Sequence, residues 1–152
     1  MKIAMGSDHG GVGHKERIKK FLEDQGHIIT DYGTNSGDSV DYNEYAIKVA
    51  TAVSKHEVDK GILVCGTGVG MSIMANKVEG VRAALVHDLF TAEATRLHND
   101  SNVLAMGGRV IDEEQAVKIS DIWVNTPFSN EERHQRRINK INKYKGEWLW
   151  VK

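Results

Sequence analysis

The stretch GILVCGTGVGMS, Gly61 to Ser72, sets the only cysteine of the chain, Cys65, at the end of an apolar run and directly before Gly66-Thr67-Gly68-Val69-Gly70. A Gly-x-Gly-x-Gly run between a strand and a helix can turn successive backbone N–H groups toward an anion, reinforced by the helix N-terminus. Three readings compete. A nucleoside-triphosphate loop requires Gly-Lys-Ser/Thr at its end, and Gly70 is followed by Met71-Ser72, so that reading fails. A dinucleotide fingerprint wants Gly-x-Gly-x-x-Gly and an acidic residue about 20 positions on. Asp88 stands near that offset, but the third glycine comes one residue early. A tight structural turn remains open. Cys65 has two readings as well. A lone strand cysteine is most often a small buried hydrophobe. At the last strand residue, facing amides and a helix start, thiolate is favoured over thiol, which makes the group a usable base. A base beside an anion-stabilising nest suits abstraction of a carbon-bound proton next to a carbonyl, where charge builds on oxygen.

Other stretches carry weaker signals. In GSDHGG, Gly6 to Gly11, Asp8 either caps the following helix or handles hydroxyl protons, and His9 is either a surface residue or a phosphate contact. In RLHNDSNVLAMGGR, Arg96 to Arg109, turn chemistry accounts for Asn99 and Asp100 but not for the titratable His98 beside them. In ERHQRRINKINK, Glu132 to Lys143, Arg133 and Arg137 stand at i and i+4 next to His134. Such a helix is a solvated face, a nucleic-acid contact or a clamp for one phosphate monoester. Nucleic acid is disfavoured because no aromatic residues interleave with the charges, and bidentate guanidinium geometry suits the clamp. His14, His27, His56 and His87 make no HxH or HExxH spacing, so no metal is expected.

Positioning these groups requires a repeating scaffold, and the chain reads as alternating strands and helices. Strands are expected at Lys2–Gly6, His27–Tyr32, Gly61–Cys65, Val81–Val86 and Asn102–Met106. Helices are expected at Val12–Gln25, Asp41–His56, after the glycines, at Leu89–His98, at Asp112–Val124 and, beyond Pro127, near Glu131–Tyr144. Within Asp41–His56, Tyr42, Tyr45, Ala46, Val49, Ala50 and Val53 share one face at helical spacing. Helical crossovers between strands imply a parallel sheet in a three-layer α/β/α fold, with ligands at the carboxyl ends of the strands. Ser7-Asp8-His9, Cys65 and its glycines, His87-Asp88 and Gly107-Gly108-Arg109 all follow strands and are expected on that one edge.

Composition narrows the classes. The 152 residues, 40% hydrophobic, suit a single domain over residues 1–152 with one sizeable core. Twenty Lys plus Arg against twenty-one Asp plus Glu leave a net charge of -1, so no global field draws nucleic acid or an anionic membrane. One cysteine and a strand-like Met1-Lys2-Ile3-Ala4 start fit a reducing cytoplasm. No apolar run approaches the roughly 20 residues of a membrane span. Trp148, Leu149 and Trp150 at the terminus are expected to pack on the domain or on a partner subunit.

Together, GSDHGG, VDYNEYA, CGTGVGMSIMANK, RLHNDSNVLAMGGRV and ERHQRR resemble the ribose-5-phosphate isomerase B family, which includes allose and galactose 6-phosphate isomerases, over roughly Lys2 to Ile141. The resemblance implies a five-stranded Rossmann-like sheet of order 2-1-3-5-4, active sites shared across a homodimer that can pair into a tetramer, and metal-free, cofactor-free conversion of an aldose phosphate to a ketose phosphate through a cis-enediolate. By motif, Cys65 resembles the base, and the amides of Gly66, Gly68, Val69 and Gly70 resemble the anion hole. Asp8 matches the carboxylate serving the sugar hydroxyls, Tyr42 a substrate-lining ring, and Thr67 with His98 the ring-opening pair. Asn99 matches a hydroxyl or oxyanion contact, and His9, Arg109, Arg133, His134 and Arg137 match phosphate ligands, some from the neighbouring subunit. In another branch a glutamate follows the glycine loop as base; Met71 stands there, leaving Cys65. Intact His-Asn-Asp and Arg-His-x-x-Arg patterns point to a pentose phosphate, with a hexose phosphate as the alternative. Val12-Gly13-His14 and His87-Asp88 depart from the family pattern and bear on how far the pocket extends beyond C4.

Overall fold

Alternation of side chains along each strand decides how this chain layers. In the computed structural model, which describes residues 1–146, Ile3 and Met5 of the first strand enter one buried cluster, while Ala4 between them enters the other. The same two-residue period splits Ile62 and Val64 from Leu63 and Cys65, and Leu104 and Met106 from Val103 and Ala105. A sheet apolar on both faces must be covered on both. The strands are β1 (Lys2–Ser7), β2 (Ile28–Asp31), β3 (Lys60–Cys65), β4 (Ala83–Leu85) and β5 (Val103–Gly107). They pair in parallel in the order β2-β1-β3-β5-β4. The helices are α1 (Val12–Asp24), α2 (Tyr42–Ser54), α3 (Val69–Ala75), α4 (Leu89–Asn99), α5 (Glu113–Asn125) and α6 (Glu132–Lys143).

One face of the sheet packs on Ile18 and Leu22 of α1, Ala92 of α4 and Ala116, Ile119 and Trp123 of α5. The other packs on Ala46, Val49, Ala50 and Val53 of α2 and Met71 and Ala75 of α3. Expected order and layering are met; several element ends differ. Asp8 caps a one-turn 3-10 helix, His9–Gly11, that precedes α1. β4 is half its expected length: just before it the Arg82 N–H goes to Asn102 Oδ1 at 2.8 Å, and soon after it Asp88 caps α4 by accepting the Thr91 N–H at 2.7 Å. Tyr42, expected on the buried face of α2, is partly exposed at the first position of that helix. Among the described residues no helix is long and apolar enough to cross a membrane. Trp148, Leu149 and Trp150 lie outside the described residues.

Candidate active site

The carboxyl ends of β1, β3 and β5 meet at one edge. Asp8 N–H donates to Val64 O at 3.2 Å, and Gly108 and Arg109 N–H donate to Cys65 O and Gly66 O at 2.8 and 3.0 Å. Backbone pairing thus continues past the strands and gathers the loops that follow them. Cys65 is 4% exposed, packed with the α2 and α3 side chains, yet its Sγ accepts the Gly68 N–H at 3.1 Å. Gly68 holds φ at 77°, a left-handed conformation that favours glycine, and its carbonyl accepts the Ser72 N–H as α3 begins. The Val69 N–H bends back to Thr67 Oγ1 at 3.3 Å. Gly70 lies under Tyr42: a Cβ there would sit 2.5 Å from the Tyr42 Cζ. The Arg109 guanidinium lies over Gly66, with Nη1 3.4 Å from where a Cβ would stand.

Asp8 is buried and its Oδ1 accepts the Gly10 N–H at 2.8 Å, so its second carboxylate oxygen is left for other work. His9 Nδ1 accepts the Val40 N–H at 3.3 Å, which leaves the ring proton on Nε2 as a donor. Val40 belongs to the polar segment between β2 and α2, and the fully buried Lys15 holds the start of that segment by donating to Asp31 Oδ2 and Asn35 Oδ1, each at 2.7 Å. His14 Nε2 donates to Ile111 O at 2.7 Å, tying α1 to the loop that carries Arg109. Neither Lys15 nor the bonding of His14 was legible, because their partners come from other elements and no spacing rule links them.

His98, Asn99, Arg133, His134 and Arg137 form a second group. They line a cavity of about 360 Å³ with Ile138 and Ile141. The His98 and His134 ring centroids stand 4.6 Å apart, and His134 Nδ1 shares a 2.8 Å hydrogen bond with Ser129 Oγ. α4 runs back from the carboxyl edge, so its end lies at the amino edge, where Asn99 O and Asp100 O accept Arg82 Nε and Nη2 at 3.0 and 2.8 Å. Thr67, resting on Gly107 at the far end of β5, is therefore on the opposite edge from His98. At about 3.3 Å per residue, the five residues of β5 set the two groups at least ~15 Å apart. Within one chain, the expected Thr67 and His98 pair is not brought together.

Known proteins share this fold and much of this sequence. The family model described as Ribose/Galactose Isomerase matches residues 3–141. The chain is 46% identical over 140 residues to ribose-5-phosphate isomerase B of Escherichia coli (strain K12), covering 92% of this chain and 93% of that protein. Among solved structures, Clostridium thermocellum ribose-5-phosphate isomerase B superposes with a TM-score of 0.91 at 46% identity, over 93% of this chain and 95% of that one. The Mycoplasma genitalium ribose-5-phosphate isomerase B with bound ribulose-5-phosphate superposes with a TM-score of 0.92 at 41% identity, over 97% of each chain. With the strand order, the glycine loop behind Cys65 and these matches over nearly its whole length, the chain belongs to the ribose/galactose isomerase family.

Proposed function

We propose that the chain interconverts ribose 5-phosphate and ribulose 5-phosphate through a cis-enediolate, with Cys65 as general base. The observation that carries this reading is the Gly68 N–H aimed at Cys65 Sγ, inside a loop bordered by Asp8, Tyr42 and Arg109. The thiolate is the basic form of a cysteine, and the Gly68 amide is placed to donate to that sulfur. In the linear aldose, Cys65 takes the proton from C2. The C–H electrons form the C1–C2 double bond, and the former carbonyl oxygen on C1 takes the negative charge. Since the Gly68 amide is engaged with sulfur and that of Val69 with Thr67 Oγ1, the amides of Gly66 and Gly70 are those left for the oxygen. Asp8 moves a proton between the two enediol oxygens, and the Cys65 thiol returns its proton to C1, giving the ketose.

Arg109 and His9, whose Nε2 carries the proton, hold the phosphate from this edge. The second group completes the site only if it comes from another copy of the chain: His98 then meets Thr67 to open the furanose ring, Asn99 contacts a hydroxyl, and Arg133, His134 and Arg137 close on the phosphate. Exposed apolar side chains beside the glycine loop support such a pairing: Val69, Ile73, Leu85, Leu89 and Phe90, the last 77% exposed. Remote phosphate binding orients the reacting carbons, while the loop amides act on charge that exists only during the reaction.

The test compares wild type and Cys65→Ala on a panel of pentose and hexose phosphates. Turnover of ribose 5-phosphate is expected to fall by at least ~10²-fold in Cys65→Ala, in the range of a lost general base. Equal activity of the two proteins excludes Cys65 as base. A higher kcat/KM for allose or galactose 6-phosphate reassigns the substrate, and no turnover by wild type favours a sugar-phosphate-binding module.

A further inference from the structure

Gly107 ends β5, and its N–H lies on the β4 side of that strand, because the next amide, that of Gly108, donates to Cys65 O on the β3 side. β4 ends too early to serve it. Its pairing stops at Leu85, the Val86 N–H makes one more bond to Ala105 O at 3.0 Å, and the chain then turns into α4 under the Asp88 cap. The His87 ring fills the gap: Nε2 accepts the Gly107 N–H at 2.9 Å. That bond requires Nε2 to be unprotonated and puts the neutral ring's proton on Nδ1. A side chain here replaces the backbone carbonyl that a longer β4 would have offered.

Gly107 is also the floor under the reactive loop. A Cβ on Gly107 would stand 2.7 Å from the Thr67 carbonyl, and one on Gly68 would stand 2.7 Å from the Met106 carbonyl carbon. Two residues beyond Gly107, the Arg109 N–H donates to Gly66 O. Any shift at the end of β5 is therefore passed to Thr67, to Gly68 with its bond to Cys65, and to Arg109.

We propose that His87 is a positioning residue for the isomerisation: by accepting the Gly107 amide it holds the end of β5 beneath the Cys65 loop, and it does so only while its ring is neutral. The inference rests on the reading of Cys65 and its loop as the reacting centre. Protonation would set N–H against N–H and release the tie. Burial lowers the His87 pKa below the ordinary 6.5, with neighbouring Asp88 opposing that shift, so the ring is neutral at neutral pH. The other titratable or charged groups gathered at this edge are Cys65 on β3, Arg109 on the loop after β5, Asp8 and His9 after β1, and Tyr42 at the start of α2; the intervening Gly66-Thr67-Gly68 carries no charge.

The experiment measures kcat/KM for ribose 5-phosphate in wild type, His87→Leu and His87→Gln, from neutral pH down through the acid limb below 6.5, with Cys65→Ala alongside. His87→Leu, which cannot accept the amide, is expected to lose roughly tenfold at neutral pH through misplacement of the loop. His87→Gln, whose side-chain carbonyl can accept it, recovers most of that loss. Because Gln does not titrate, the ratio of His87→Gln to wild-type activity rises as pH falls below 6.5. Loss of the folded state in His87→Leu, read by its melting temperature, would leave this ratio to decide. A ratio that stays flat with pH overturns the proposal, as does wild-type activity in a folded His87→Leu. A fully active Cys65→Ala sinks the reading of the reacting centre itself, whereas an inactive Cys65→Ala with a flat ratio sinks only the role of His87.

Discussion

Gly70 shows how closely the site is built around absent side chains. The Tyr42 ring occupies the space that a Cβ on Gly70 would need, with three ring atoms between 2.5 and 2.9 Å of that position. Gly70→Ala must push the ring or the loop aside, and kcat/KM is expected to fall by roughly 10-fold or more. Gly37→Ala, on the polar segment between β2 and α2 with open space around it, is the control and is expected to stay within about twofold. Equal losses in the two variants would mean that the Tyr42 contact is not what matters. At this scale the sequence was informative where chemistry and position coincide: Cys65 ends an apolar run, and it is buried, as a small hydrophobe would be, with a loop amide at its sulfur, which is the contact the proposed base relies on. It placed His87 at this edge but did not show its bond, whose partner is a backbone amide twenty residues on. A hydrogen bond from a side chain to distant backbone leaves no mark in periodicity or spacing.

Among the elements, the layers and strand ends were legible because alternation and helical period are imposed by burial itself, as in Ile3, Ala4 and Met5 or Ala46, Val49, Ala50 and Val53. The length of β4 was not, since the side chains of Asn102 and Asp88 take backbone amides on either side of it. Lys60, at the first position of β3, is a similar case. Its Nζ donates to Trp123 O and Val124 O at 3.4 and 3.1 Å, satisfying carbonyls in the last turn of α5, and stands 5.0 Å from the Trp123 ring centroid. Burial, followed by the nearby Arg96 charge, lowers its pKa from 10.5 to about 8. Between those two values the unfolded chain holds more protons than the folded one, so this group's contribution to stability rises with pH across that window. The stability of wild type relative to Lys60→Met is expected to grow by about 1–2 kcal/mol from the lower to the upper end of the window, measured by urea unfolding at several pH values. A difference that does not change with pH would show that the carbonyl contacts keep Lys60 fully charged.

For the whole molecule, the decisive feature is that Cys65 and Arg137 belong to opposite edges of the sheet. The order of elements already required this, because α4 must run back before β5 can begin, and His98 stands at its end. If each site takes its glycine loop from one copy and its basic helix from another, damage to the two groups is separable. Cys65→Ala and Arg137→Ala homo-oligomers are each expected to be nearly inactive. In a mixed dimer, one site combines both lesions, while the other combines an intact Cys65 from one chain with an intact Arg137 from the other. Random reassortment makes half of the dimers mixed, and half of their sites are whole, so unfolding and refolding an equal mixture should restore about a quarter of wild-type activity. Sites built within a single chain would restore nothing on mixing, because every chain in the mixture carries a lesion. The recovered fraction therefore separates a shared site from a self-contained one without requiring a structure of the assembly.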